Sequence, residues 1–130
     1  MSTRNGVEPH VIGILDDDHA VREAVGNLLE SSGFQVESFG SVKEFFDSYR
    51  RKGISCLILD VRLPGSTGLA LQASLLKQPK RIPVIIITAH ADEDVRKQAL
   101  GAGAVAFFYK PFRAEALLSA IRTALHQPES

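Results

Sequence analysis

Three consecutive aspartates, Asp16-Asp17-Asp18, a fourth at Asp60, a threonine at Thr88 and a lysine at Lys110 each begin immediately after a short apolar run. Taken singly, each has an ordinary reading. An aspartate after a strand commonly caps the next helix, which is the reading for Asp18; Thr88 is a strand-end residue and Lys110 a surface lysine. Taken together they suggest chemistry. Asp16, Asp17 and Asp60 outnumber Lys110, and carboxylates held close together need protonation or a counter-cation. A hard divalent ion with oxygen ligands answers that need, and Mg²⁺, which keeps several waters and takes one or two carboxylates, fits best. With the ion in place a phosphate becomes tolerable: the metal and Lys110 neutralise its oxygens, and Thr88 donates a hydrogen bond. An aspartate carboxylate is also a nucleophile toward phosphorus. The residues thus point to aspartyl-phosphate chemistry without saying which aspartate carries it.

Four apolar runs precede these residues: Val11 to Leu15, Cys56 to Leu59, Val84 to Ile87 and Val105 to Tyr109. Each reads as a parallel strand covered on both faces. Phe34 to Phe39 mixes polar with apolar residues and suits an edge strand. Between them lie helical patterns. Val21, Ala24, Val25, Leu28 and Leu29 form one apolar stripe before Gly33. A capping box at Ser41-Val42-Lys43-Glu44 opens a second stripe of Val42, Phe45, Phe46 and Tyr49. Leu69, Ala73 and Leu76 make a third, ahead of Pro79. Asp92-Glu93-Asp94 opens a fourth helix with Val95 and Ala99 inward, followed by a turn at Gly101 and Gly103. Leu117, Ile121, Ala124 and Leu125 close the series after Pro111. Five βα units in succession predict an α/β fold: a doubly wound parallel sheet with helices on both faces and right-handed crossovers. In such sheets ligands gather beyond the carboxyl ends of the strands, where Asp16, Asp17, Asp60, Thr88 and Lys110 all fall.

The composition narrows the class. The chain has 130 residues, 15 basic against 15 acidic, 45% hydrophobic and 23% charged. This is one globular domain's worth of average sequence. Zero net charge excludes a basic nucleic-acid-binding domain, and the single Cys56, inside a strand, excludes a disulfide scaffold. No apolar run approaches the roughly 20 residues of a membrane helix, and Met1 to Pro9 has no signal-peptide core. The expectation is a cytoplasmic domain over residues 10–126, with a flexible N-terminus at 1–9 and a tail or linker stub at 127–130. His10, His19 and His126 lack metal-ligand spacing.

The motifs resemble those of response-regulator receiver domains of two-component signalling, and most closely receivers of nitrogen-fixation regulators. They run in order: Ile14-Leu15-Asp16-Asp17-Asp18; Leu59-Asp60-Val61-Arg62-Leu63-Pro64 with Gly68; Ile87-Thr88-Ala89; and Lys110-Pro111-Phe112. From Asp17 to Asp60, Thr88 and Lys110 the successive spacings are 43, 28 and 22 residues. The resemblance covers about Val11 to Leu125 and implies a flavodoxin-like strand order of 2-1-3-4-5. It implies that Asp60 accepts a phosphoryl group from a phosphohistidine on a sensor histidine kinase. It assigns Mg²⁺, with Mn²⁺ as a substitute, to Asp17 directly, Asp16 largely through water, Asp60, and the backbone carbonyl of Arg62. Thr88 and Lys110 bind the phosphoryl oxygens, and the Lys110-Pro111 peptide is cis. Phe107 matches the switch aromatic, whose ring moves when Thr88 shifts toward the phosphate; its plainer reading is a core strand residue. Arg62 and His90 match positions that tune phosphate lifetime. Leu63 departs from the methionine common in the family, at little cost.

Two other readings share these residues. A haloacid-dehalogenase-like phosphatase would use Asp16 and Asp18, but needs a late acidic metal motif that the fifth strand lacks. A flavodoxin-like cofactor binder would need a phosphate cradle where three aspartates stand. Within the receiver reading the chain is either a stand-alone regulator or, as the tail suggests, a domain of a longer protein whose transcriptional effector lies outside this sequence. No direct nucleic-acid or membrane contact by the receiver is expected. A phosphorylation-dependent homodimer is expected through the face of the fourth helix, fifth strand and fifth helix.

Overall fold

The computed structural model describes residues 10–63, 66–78, 81–89 and 92–126. The expected flexible N-terminus at 1–9, the tail at 127–130 and His90 lie outside the described residues. Five parallel strands, β1 (Val11–Leu15), β2 (Gln35–Phe39), β3 (Cys56–Leu59), β4 (Val84–Thr88) and β5 (Ala106–Tyr109), form one sheet in the order β2-β1-β3-β4-β5. The helices are α1 (His19–Ser31), α2 (Val42–Lys52), α3 (Gly68–Leu76), α4 (Glu93–Gly101) and α5 (Ala114–Leu125).

Alternation along the central strands splits the core in two. Ile12, Ile14, Cys56, Ile58, Ile85 and Ile87 pack with Val25 and Leu29 of α1 and Leu117, Ile121 and Ala124 of α5. Leu15, Leu57, Leu59, Val84 and Ile86 pack on the other side with Phe45 of α2, Leu71 and Leu75 of α3 and Ala99 of α4. Both faces of β1, β3 and β4 are therefore covered, which is why those runs are continuously apolar.

The helix starts follow the sequence signals. Asp18 caps α1, its Oδ1 accepting from the Ala20 and Val21 amides at 2.9 and 3.4 Å. Ser41 caps α2 by accepting from the Glu44 amide at 3.2 Å, while Glu44 accepts from the Gly40 amide, one residue earlier than in a standard capping box. Asp92 caps α4 through the Val95 amide. Gly103, at φ +104°, makes the turn out of α4.

Four expectations are corrected. Phe46 is 37% exposed, so α2 presents Phe45 inward and lets Phe46 stack edge-on against it; the side chain of Tyr49 lies outside the description. In α3 the buried residues are Gly68, Leu71, Gln72 and Leu75, whereas Ala73 and Leu76 are exposed. That helix is apolar almost all round, so periodicity could not choose its face. Ala24 of α1 is likewise exposed. The run at 105–109 is not covered on both faces: β5 is an edge strand, its residues half-buried and Tyr109 exposed.

One buried polar contact joins two helices. Gln72 Nε2 donates to the Ala99 carbonyl of α4 at 3.0 Å, and its Oε1 has no partner among the described residues.

Candidate functional site

Strand order reverses between β1 and β3, and the residues that follow those strands are Asp16 and Asp60. Their backbone continues the sheet: the Asp60 amide donates to the Leu15 carbonyl at 3.1 Å and the Asp16 amide to the Phe39 carbonyl at 3.2 Å. Asp16 is 1% exposed, Asp60 4% and Thr88 0%. The two carboxylates are held alike. Asp16 Oδ1 accepts from the Asp18 amide and Asp60 Oδ1 from the Arg62 amide, each at 2.9 Å. The remaining oxygen of each, Oδ2, accepts from Lys110 Nζ, again at 2.9 Å. Lys110 reaches this point because β5 delivers it there: its amide donates to the Thr88 carbonyl at 2.8 Å, and the peptide bond to Pro111 is cis.

Burial pushes the Asp16 carboxyl above the usual carboxylate range, helped by the Asp60 charge and opposed by Lys110 and the Asp18 amide. For Lys110 burial works downward, but the hydrogen bonds and charges of Asp16 and Asp60 outweigh it and hold the ammonium above its usual value. Among the described residues no group of three His, Cys, Asp or Glu side chains is gathered as a metal cage. Mg²⁺ does not require one. Two carboxylates, a backbone carbonyl and waters make a sufficient donor set, and the Asp16–Asp60 pair, too negative for Lys110 alone, suits a hard cation.

The structure brings Asp16, Asp60 and Lys110 into direct contact and buries Thr88 one strand away. Asp17 is exposed beside them, outside the ion-pair cluster. Asp18 is occupied as the α1 cap, which removes the second aspartate from a phosphatase-type pair. Phe107 is half-buried, packed on the core and edge-on to Tyr109 at 5.3 Å. Arg62 is exposed, in a two-residue antiparallel ribbon with Ser66–Thr67 that sequence reading did not foresee.

Two further residues shape the site. A Cβ on Gly68 would collide with the Asp60 carbonyl oxygen and stand 2.8 Å from Val61 Cα, and the Gly68 amide donates to the Val61 carbonyl at 2.6 Å. The start of α3 is thus laid directly on the chain that carries Asp60, an approach only glycine permits. Arg22 Nη1 donates to the Asp16 carbonyl at 2.6 Å. The missed signal was a cation in the first turn of a helix, where the macrodipole disfavours it.

The family model described as the response regulator receiver domain matches residues 12–122. The chain belongs to that family. This receiver domain is 50% identical over 115 residues to the response regulator protein TodT of Pseudomonas putida, covering 88% of this chain and 51% of TodT. It is 36% identical over 118 residues to the transcriptional regulatory protein FixJ of Bradyrhizobium diazoefficiens, covering 91% of this chain and 58% of FixJ. The chain therefore spans about half the length of the curated relatives it matches. Among solved structures, a CheY-like receiver domain protein of Methanospirillum hungatei superposes with TM-score 0.83 at 27% identity, covering 91% of this chain and 94% of that one. The response regulator StyR superposes with TM-score 0.82 at 42% identity, covering 91% and 60%. Receiver domains bind Mg²⁺ for phosphotransfer and partner with sensor histidine kinases. Membership in this family sets aside the phosphatase and flavin-binder readings. No helix among the described residues is long and apolar enough to cross a membrane.

Proposed function

We propose that Asp60 is the phosphoacceptor of this receiver. A carboxylate oxygen of Asp60 attacks the phosphorus of a kinase phosphohistidine; the P–N bond breaks, and the imidazole leaves with the electron pair and takes up a proton. Lys110 holds a phosphoryl oxygen with the ammonium that now bridges Asp16 and Asp60, and Thr88 donates a hydrogen bond to another. Asp16, Asp17, Asp60 and the Arg62 carbonyl hold Mg²⁺, or Mn²⁺ in its place, which neutralises phosphoryl charge when bound. Lys110 Nζ at 2.9 Å from two buried carboxylates delivered by different strands carries the reading of the site, and the match of Leu59-Asp60-Val61-Arg62-Leu63-Pro64 to the family motif selects Asp60 over Asp16. Such a pair is electrostatically costly unless it serves a cation or an incoming group.

The expected consequence is a shift of Thr88 toward the phosphate, with the Phe107 ring following into the space. The output face is α4-β5-α5, supported by the exposure of Tyr109, and a homodimer forms there on activation. The effector is transcriptional and lies outside these residues, as the relatives' length and names support; the setting is cytoplasmic. Arg62 and His90 set phosphate lifetime by restricting the attacking water.

Incubation with phosphoramidate and Mg²⁺, followed by mass mapping of the adduct, tests the assignment. Phosphate on Asp60, lost in Asp60→Asn, is the expected result; an adduct on Asp16 would overturn it. Sedimentation with and without beryllofluoride tests the dimer, which a monomer in both conditions would exclude. Unchanged half-lives in both Arg62→Ala and His90→Ala would remove the lifetime assignment.

A further inference from the structure

Arg22 is the fourth residue of α1, whose first turn has no acidic side chain to balance it. Its guanidinium instead turns back over the β1–α1 connection. Nη1 donates to the Asp16 carbonyl at 2.6 Å, and Nη2 lies 3.4 Å from His19 Nδ1. The group passes over Gly40, at the end of β2, where a Cβ would stand 3.2 Å from Nη1. The φ of Gly40 is not in the left-handed region, so no turn demands glycine there. What glycine leaves is room for the guanidinium. The Gly40 amide is in turn fixed by Glu44 Oε1 at 2.6 Å.

Asp16 is thereby held at every polar group: amide to Phe39, carboxylate to the Asp18 amide and Lys110, and carbonyl to Arg22. The last of these lies on the peptide that leads into Asp17. We propose that Arg22 is a positioning residue for the acidic site, fixing the Asp16–Asp17 peptide so that the carboxylates are preset for Mg²⁺. The inference rests on the reading of the site given above.

Charge and position make opposite demands. A nearby guanidinium repels a divalent cation, so deleting it should tighten Mg²⁺ binding if charge alone matters. Loss of an outer-shell hydrogen bond that orients ligands weakens metal binding by about 10–100-fold. The sign of the change therefore separates the two.

Mg²⁺ titration of the 130-residue chain by calorimetry, with the ¹⁵N amide shifts of Asp17 and Asp18 followed in parallel, reads that sign. Arg22→Met is expected to weaken Mg²⁺ binding about tenfold and to shift the Asp17 amide before any metal is added. Arg22→Lys, which keeps the charge, should also weaken it. Gly40→Ala, which crowds the guanidinium without altering it, should weaken it less. Equal or tighter Mg²⁺ binding by a folded Arg22→Met chain overturns the proposal. If that variant does not fold, an unchanged dissociation constant in Gly40→Ala overturns it instead. Failure of the unsubstituted chain to take Mg²⁺ would be a different result, striking the reading of the site itself and the role of Arg22 with it.

Discussion

β3 and β5 start from the same kind of sequence and end in different surroundings. Cys56-Leu57-Ile58-Leu59 is buried at every residue, between β1 and β4 and under helices on both faces. Ala106-Phe107-Phe108-Tyr109 pairs with β4 alone, with its first three residues only partly covered and Tyr109 exposed. Both strands deliver a residue to one cluster, Asp60 from the centre and Lys110 from the margin. The central strand supplies a fixed carboxylate, and the marginal one a cation on a support that has room to adjust. Large aromatic side chains on an under-covered edge are the arrangement expected of a surface that receives a partner.

Measurements on the two strands test that contrast. Burial pushes the Cys56 thiol up to about 12, so thiolate is nearly absent from the native strand at neutral pH. Native alkylation by iodoacetamide at pH 8 should be at least about a thousandfold slower than in the unfolded chain; fast labelling would mean that the centre opens readily. Ile58→Ala should cost ~4 kcal/mol in urea unfolding, and Phe107→Ala only ~1.5 kcal/mol because its ring is not fully covered. Equal costs would erase the distinction between the strands. Gly68→Ala should lose ~2 kcal/mol by overpacking and slow phosphoramidate labelling of the site, since the new methyl meets the Asp60 backbone. Normal stability and labelling together would show that the α3 start can move aside. The smallest effect belongs to Tyr109→Ser, within ~0.5 kcal/mol as for most exposed positions.

Where sequence reading succeeded, one physical cause dominated. Runs such as Cys56 to Leu59 are apolar on both faces because both faces are covered, and Asp18, Ser41 and Asp92 cap helices because orphan amides need acceptors. The gathering of Asp16, Asp60, Thr88 and Lys110 at one end followed from the place of each after its strand, and the strand order from the family motifs in register. Where reading fell short, two causes competed. An all-round apolar helix hid the face of α3, and the aromatic run of β5 resembled a central strand. Arg22 acts through a close approach across the β1–α1 connection, which no periodicity encodes, and Gly68 was legible only as part of the family motif and not as the contact on the Asp60 backbone. The ribbon between Arg62–Leu63 and Ser66–Thr67 is two residues long on each side, too short to leave a pattern.

The contact between Gln72 and Ala99 has a mechanical consequence. It grips α4 near its C-terminal end, where Ala99 is the helix's buried residue, while Asp92, Glu93 and Asp94 at the opposite end are exposed. A rod pinned near one end swings rather than slides. A shift of α4 along its axis would break the Gln72–Ala99 hydrogen bond, whereas a tilt about Ala99 would keep that bond and load the Val95 contact with the core instead.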